Sequence, residues 1–130
     1  MSEENLAVVR AFYAAWRRAE IPEELMDPEI EYVNPEGAIE PGTRRGREAV
    51  IRAMKSVLDG WQTWEMEPED MAAQGDRIAV IVSYSARGRA SGLDVKGRES
   101  ALWTVRDGKV VRYEWFHSPD DAQKALQTHD

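Results

Sequence analysis

The chain is 130 residues long, 42% hydrophobic and 32% charged, with five Trp, no Cys and a formal net charge of −7. One domain spanning residues 1–130 is expected at that length, with enough apolar material for a core. Disulfides, thiolate nucleophiles and thiolate metal sites are excluded, and the acidic balance argues against a nucleic-acid partner, which requires an excess of Lys and Arg. The N-terminus MSEENLAVVRAF carries acids where a signal peptide needs bases. No apolar run reaches the roughly 18 residues of a membrane span, so no membrane partner is expected and a cytoplasmic setting is.

Leu6, Val9, Phe12, Tyr13 and Trp16 fall on one helical stripe, with Ser2 as N-cap, Glu3 and Glu4 in the first turn and Arg17 and Arg18 in the last. This predicts a first long helix. In IPEEL, Pro22 starts a short helical turn with Leu25 and Met26 on its inner side. EIEYVNPEG, Glu29 to Gly37, alternates as a strand, with Ile30, Tyr32 and Asn34 on one side and Glu31 and Val33 on the other. Asn34, just before Pro35, is either a turn-former or the polar floor of a pocket. TRRGR, Thr43 to Arg47, is a basic cluster that reads as a solvated helix entrance, with an anion site as the alternative. Val50, Met54, Val57 and Leu58 then recur at helical spacing between Gly46 and Gly60, predicting a second long helix.

From Trp61 the period becomes two. WQTWEMEPEDMAAQ is strand-like but interrupted by Pro68, which marks an edge strand or a bulge. Gly75 turns the chain, RIAVIVSYSARGR and RESALWTVR are strands around a loop or hairpin tip at ASGLDVKG, and Asp107-Gly108 is a hairpin turn before KVVRYEWFH. SPDDAQKALQ reads as a terminal helix with Ser118 as N-cap and Pro119 at its first position. Helices grouped around four consecutive antiparallel strands indicate an α+β fold with helices packed on one face of a curved sheet.

The runs VVRAFYAAW, EYVNPEG, GREAV and ALWTVRDGKVVRYEWF together resemble the SnoaL-like (polyketide cyclase-like) branch of the nuclear transport factor 2-like superfamily, over nearly the whole chain. The resemblance implies a cone-shaped α+β barrel in which a curved antiparallel sheet wraps around N-terminal helices. It also implies a homodimer through the outer sheet face, where Arg112, Glu114 and Phe116 are expected. Members of the superfamily include polyketide cyclases, ketosteroid isomerases, limonene-type epoxide hydrolases and non-catalytic binding domains, so the shared fold transfers no activity. The positions of the isomerases' proton-shuttling Asp, oxyanion Tyr and protonated Asp are Asn34, Phe12 and Ala101 here. An amide takes no substrate proton and a phenyl ring donates to no oxyanion, so that chemistry is not expected. The working Asp of the cyclases and epoxide hydrolases falls on Trp115, and the hydrolases' Arg and second Asp fall on Ser83 and Ser85, left to orient a polar ligand group. Tyr32 and Asn34 match the pair that helps hold the attacking water in the hydrolases.

Parity puts Tyr113, Trp115 and His117 on the face of the family's catalytic position, and Glu99, Ala101 and Trp103 on the matching face of the preceding strand. His117 is a catalytic candidate because imidazole titrates near neutral pH; the plainer reading is a strand-end His bonded to backbone. Glu99 supplies a carboxylate if it points inward, and beside Arg98 near a loop it is otherwise a solvated side chain. Two His, one of them His129 in the tail, make no His-rich metal set, so neither metal nor cofactor is expected. The tryptophans fill a core or line an aromatic ligand pocket. The expected ligand-binding set is Phe12, Trp16, Tyr32, Asn34, Ser83, Ser85, Ala101, Trp103, Tyr113 and Trp115, around a small apolar or aromatic molecule. The expected function is binding without the relatives' catalytic residues. The alternative is a lyase, isomerase or hydrolase of a polyketide- or terpenoid-like substrate, with His117 or Glu99 as acid or base.

Overall fold

The apolar stripe of Val9, Phe12, Tyr13 and Trp16 is buried against a sheet in the computed structural model, which describes residues 2–128. The side chain of the expected cap Ser2, and His129, lie outside the described residues. Helix α1 (Ser2–Arg17) stops where Ala19 takes a left-handed φ of 58° and the Glu20 N–H donates back to the Ala15 carbonyl at 2.9 Å. A 3-10 turn, Glu23–Leu25, leads into β1 (Met26–Asn34), β2 (Gly42–Arg45), α2 (Arg47–Asp59), β3 (Trp61–Gln74), β4 (Arg77–Gly88), β5 (Asp94–Arg106), β6 (Lys109–Phe116) and α3 (Asp121–Thr128).

The six strands form one curved, unclosed sheet in the order β2-β1-β6-β5-β4-β3. Strands β3 to β6 are antiparallel, as the alternation predicts, whereas β1 joins β6 in parallel. The cone is therefore open along β2 and β3. Asp107 and Gly108 both take positive φ, 52° and 76°, as a two-residue hairpin turn whose twist matches its strands requires.

Three local expectations change. The basic cluster enters an edge strand, β2, because Glu31 on the neighbouring strand holds Arg45 at 2.5 Å and Arg112 at 2.7 Å. The Arg45 hydrogen bond, then that of Arg112, keeps the Glu31 carboxyl below its ordinary range. β5 already begins at Asp94, so half of the expected loop tip is strand. Helix α3 begins only at Asp121, because the buried Ser100 of β5 caps it across the chain: its hydroxyl accepts from the Ala122 N–H at 3.0 Å and donates to the Ser118 carbonyl at 2.7 Å.

Two bulges shape β3. Trp61 opposes Gly88 while Thr63 opposes Arg87, leaving Gln62 extra, and a second shift between Pro68 and Asp70 leaves Glu69 extra. A one-residue insertion reverses parity. Trp61 and Trp64, three residues apart, are thereby brought together with ring centroids 6.1 Å apart.

The core centres on Trp103, which is wholly buried. Its ring lies 5.0 Å from Phe12, 5.3 Å from Tyr13, 5.8 Å from Trp16 and 4.5 Å from Tyr113, and its N–H donates to the Tyr13 hydroxyl at 3.1 Å. A smaller cluster of Ala79, Leu102, Ala122 and Leu126 docks α3 on the other face of the sheet, with Phe116 packed against it. Phe116 is half-buried there, beside α3 on the outer face. Arg112 stays on the outer face, tied to Glu31 and Glu114. Tyr13→Phe leaves the Trp103 N–H buried without its acceptor, so urea denaturation is expected to show a loss of about 1–3 kcal/mol. An unchanged stability would mean that another acceptor serves the indole.

Candidate functional site

Residues directly opposed in an antiparallel pair share a face of the sheet. Val82, Val80 and Ile78 are fully buried, and they oppose Glu99, Ala101 and Trp103. Glu99 therefore turns inward rather than into solvent beside Arg98, which faces out and pairs with Glu69 at 3.0 Å. The same rule corrects two expected ligand contacts. Ser83 and Ser85 oppose Arg98 and Lys96, and they lie with those residues in a shallow depression that also includes Glu65 and Glu67, away from the core face.

Between the helices and the inner sheet face lies a chamber of about 120 Å³. Trp16, Tyr32, Tyr113 and Trp115 line it, as does Glu99. Phe12, Ala101 and Trp103, expected to touch ligand, are wholly buried in the core and are not part of its lining, because the aromatic cluster fills that part of the cone. Met54, Val57 and Leu58 of α2 and Trp64 and Met66 of β3 complete the wall and were not anticipated as lining. Their available signal was an apolar stripe on α2 continuing beyond the buried Val50 and Met54. A second, outer cavity of about 530 Å³ shares Tyr32, Val57 and Trp115 with the chamber, and reaches Asn34, the Gly37 to Glu40 loop and His117.

The chamber isolates one charge. Desolvation pushes the Glu99 carboxyl up to about 7, and no hydrogen-bond partner holds it among the described residues. Burial, then the nearby Glu99 charge, pushes Tyr32 up to about 12. Burial raises the Tyr13 and Tyr113 phenols also, so all three stay neutral. The Trp64 indole N–H is buried without an acceptor among the described residues.

Asn34 uses both ends of its amide. Nδ2 donates to the Glu40 carbonyl at 2.8 Å, and Oδ1 accepts from the Trp115 indole N–H at 2.6 Å. It is thus more than a turn-former: it clasps the following loop and fixes a pocket wall. His117 is exposed, lies edge-on to Trp115 at 5.0 Å and has Nε2 3.2 Å from the Glu36 carbonyl. Among the described residues no hydrogen bond or ion pair joins it to Glu99, and no group of three or more acidic or imidazole side chains is arranged to hold a metal.

An open cone of curved sheet over helices, with its cavity on the concave side, is the architecture of NTF2-like proteins. Several solved structures superimpose on it. TerC, co-crystallised with polyporic acid, matches at 24% identity over 96% of this chain and 99% of its own, with a TM-score of 0.77. A protein from Jannaschia sp. CCS1, described as a SnoaL-like polyketide cyclase, matches at 20% identity over 98% and 94%, TM-score 0.77. A protein of ketosteroid isomerase-like fold from Catenulispora acidiphila DSM 44928, in complex with trimethylamine, matches at 18% identity over 85% of each chain, TM-score 0.73. At these identities the likeness shows the fold. The chain belongs to the SnoaL-like domain family, whose model matches residues 9–113. No curated protein sequence matches it. Among the described residues no helix is long and apolar enough to cross a membrane.

Because folding raises the Glu99 pKa, its stability term is present below the ordinary carboxyl range and is lost as pH rises toward about 7. Glu99→Gln should therefore melt with the wild type at pH 4 and be more stable at pH 8, by up to about 3 kcal/mol. Equal gaps at both pH values would mean a solvated carboxylate. Asn34→Asp sets a carboxylate against the Glu40 carbonyl, so the variant should lose about 1–3 kcal/mol at pH 8 and recover on acidification, when the acid regains a donor. Paired thermal melts at pH 5 and pH 8 measure this, and a loss independent of pH would point to packing instead.

Proposed function

We propose that this SnoaL-like domain binds a small, largely apolar molecule in the chamber and that Glu99 exchanges a proton with it. The carrying observation is a single carboxyl, without a hydrogen-bond partner among the described residues, in a chamber walled by Trp16, Tyr32, Tyr113 and Trp115. A carboxylate deprived of water and donors is a stronger base than in solution, and near neutrality its acid form returns the proton. Such a group suits lyase- or isomerase-type chemistry on a polyketide- or terpenoid-like molecule. TerC was crystallised with polyporic acid and the Catenulispora protein with trimethylamine, which supports small-molecule binding by this fold. His117, exposed and backbone-bonded, has no part in it.

Binding without turnover is the second reading. It is favoured by Trp115 occupying the position where the resemblance puts a working Asp, and by the fully engaged amide of Asn34. A cytoplasmic setting and a homodimer accompany either reading as proposals.

Deuterium exchange at the benzylic carbon of phenylacetone, followed by proton NMR, separates the two. Glu99 takes a proton from that carbon and a deuteron from solvent replaces it, with no other bond changed. The wild type is expected to accelerate exchange over buffer, Glu99→Gln to return it to background, and His117→Gln to leave it within about twofold. Saturable phenylacetone binding with exchange at the buffer rate would leave the binding domain and overturn the proton transfer.

A further inference from the structure

We infer that Trp115 is a fixed partition that sets the size of the ligand, restricting the chamber to molecules built on one ring. This rests on the chamber being the binding site and names the class of molecule it takes. Trp115 is common to the walls of both cavities, with Tyr32 and Val57, which puts it at the boundary between the Glu99 chamber and the larger outer space. A space near 120 Å³ is on the scale of cavities that hold a benzene ring. Two fused or linked rings need the outer cavity as well, and Trp115 stands on the boundary the two spaces share.

The partition is held in place from several sides. Its N–H is bonded to Asn34 Oδ1 at 2.6 Å, and Asn34 is in turn tied to the loop through the Glu40 carbonyl at 2.8 Å. His117 buttresses the ring edge-on at 5.0 Å and is itself against the Glu36 carbonyl. The cross-strand neighbour of Trp115 is Ala101, too small to push the indole aside. Both anchors, Asn34 and His117, thus bind backbone carbonyls of one loop. Rotating the indole out of the partition would break its partly buried hydrogen bond to Asn34.

The test compares phenylacetone with its 4-phenyl derivative, 4-biphenylylacetone, by calorimetric titration against the wild type, Trp115→Ala and Asn34→Ala. The wild type is expected to bind phenylacetone at least tenfold more tightly than the two-ring ketone. Trp115→Ala should gain at least tenfold for the two-ring ketone, so that the wild-type preference for phenylacetone is lost or reversed. Asn34→Ala, which keeps the indole and removes its tether, should gain part of that increase. Should Trp115→Ala fail to fold by circular dichroism, the wild-type preference and the Asn34→Ala gain still decide the matter. Equal wild-type affinity for the two ketones, or no gain in either folded variant, would overturn the partition while leaving the chamber as the binding site. No binding of phenylacetone to the wild type would remove the chamber and the partition together.

Discussion

The hydrogen bond from the Trp103 indole to the Tyr13 hydroxyl, deep inside an aromatic cluster, fixes how α1 lies on the sheet. A buried indole N–H needs an acceptor, and in this cluster the Tyr13 oxygen at 3.1 Å supplies it. Burial keeps the Tyr13 phenol neutral, so the acceptor remains compatible with its apolar surroundings. The rotation of α1 follows: Tyr13 must face Trp103, which brings Phe12 and Trp16 onto the same five-ring cluster with Tyr113. Each such ring pair adds about 0.5–1.5 kcal/mol beyond its buried area, and together they leave one orientation of helix on sheet.

Filling that part of the cone decides where space remains. The void lies toward α2, whose Val57 and Leu58 reach the chamber edge only half-buried, and there the apolar wall meets Glu99. One step along β5, Arg98 and Glu69 form an ordinary solvated pair, while Glu99 is partly withdrawn from water and has no hydrogen-bond donor among the described residues. An unpaired carboxyl in such a wall destabilises the fold near neutral pH, and strongly perturbed groups of this kind concentrate at functional sites. The indole of Trp115, held by Asn34, then gives the space its boundary.

The edges of the sheet are secured by different means. At one edge β2 is only four residues long and is pinned by Arg45 to Glu31, a charged, short strand that offers little to a passing chain. At the other, β3 runs fourteen residues, and its two bulges twist it while carrying Trp61 and Trp64 to one face. The exposed ion pairs add little stability individually. Their effect is on register, since each links a particular residue of one strand to its neighbour.

Local sequence determined much of this protein. The stripes of α1 and α2, the Asp107-Gly108 turn and the alternation of β4 to β6 arise from sterics and periodicity within a few residues, which any window of the chain contains. Alternation alone also put Glu99, Tyr113 and Trp115 on one face, and it set Ser83 and Ser85 opposite Val80 and Val82. The register borrowed from distant relatives placed those serines inside, and the local pleat overruled it. Tertiary structure alone decided the rest. The bulge at Gln62 has no Gly or Pro to mark it, Ser100 caps a helix twenty-two residues away, and Trp115 meets Asn34 across eighty-one. Whether Glu99 is solvated or enclosed depended on how completely the aromatic rings filled the cone. Volume and desolvation are properties of packed elements, and no periodicity in a single strand carries them.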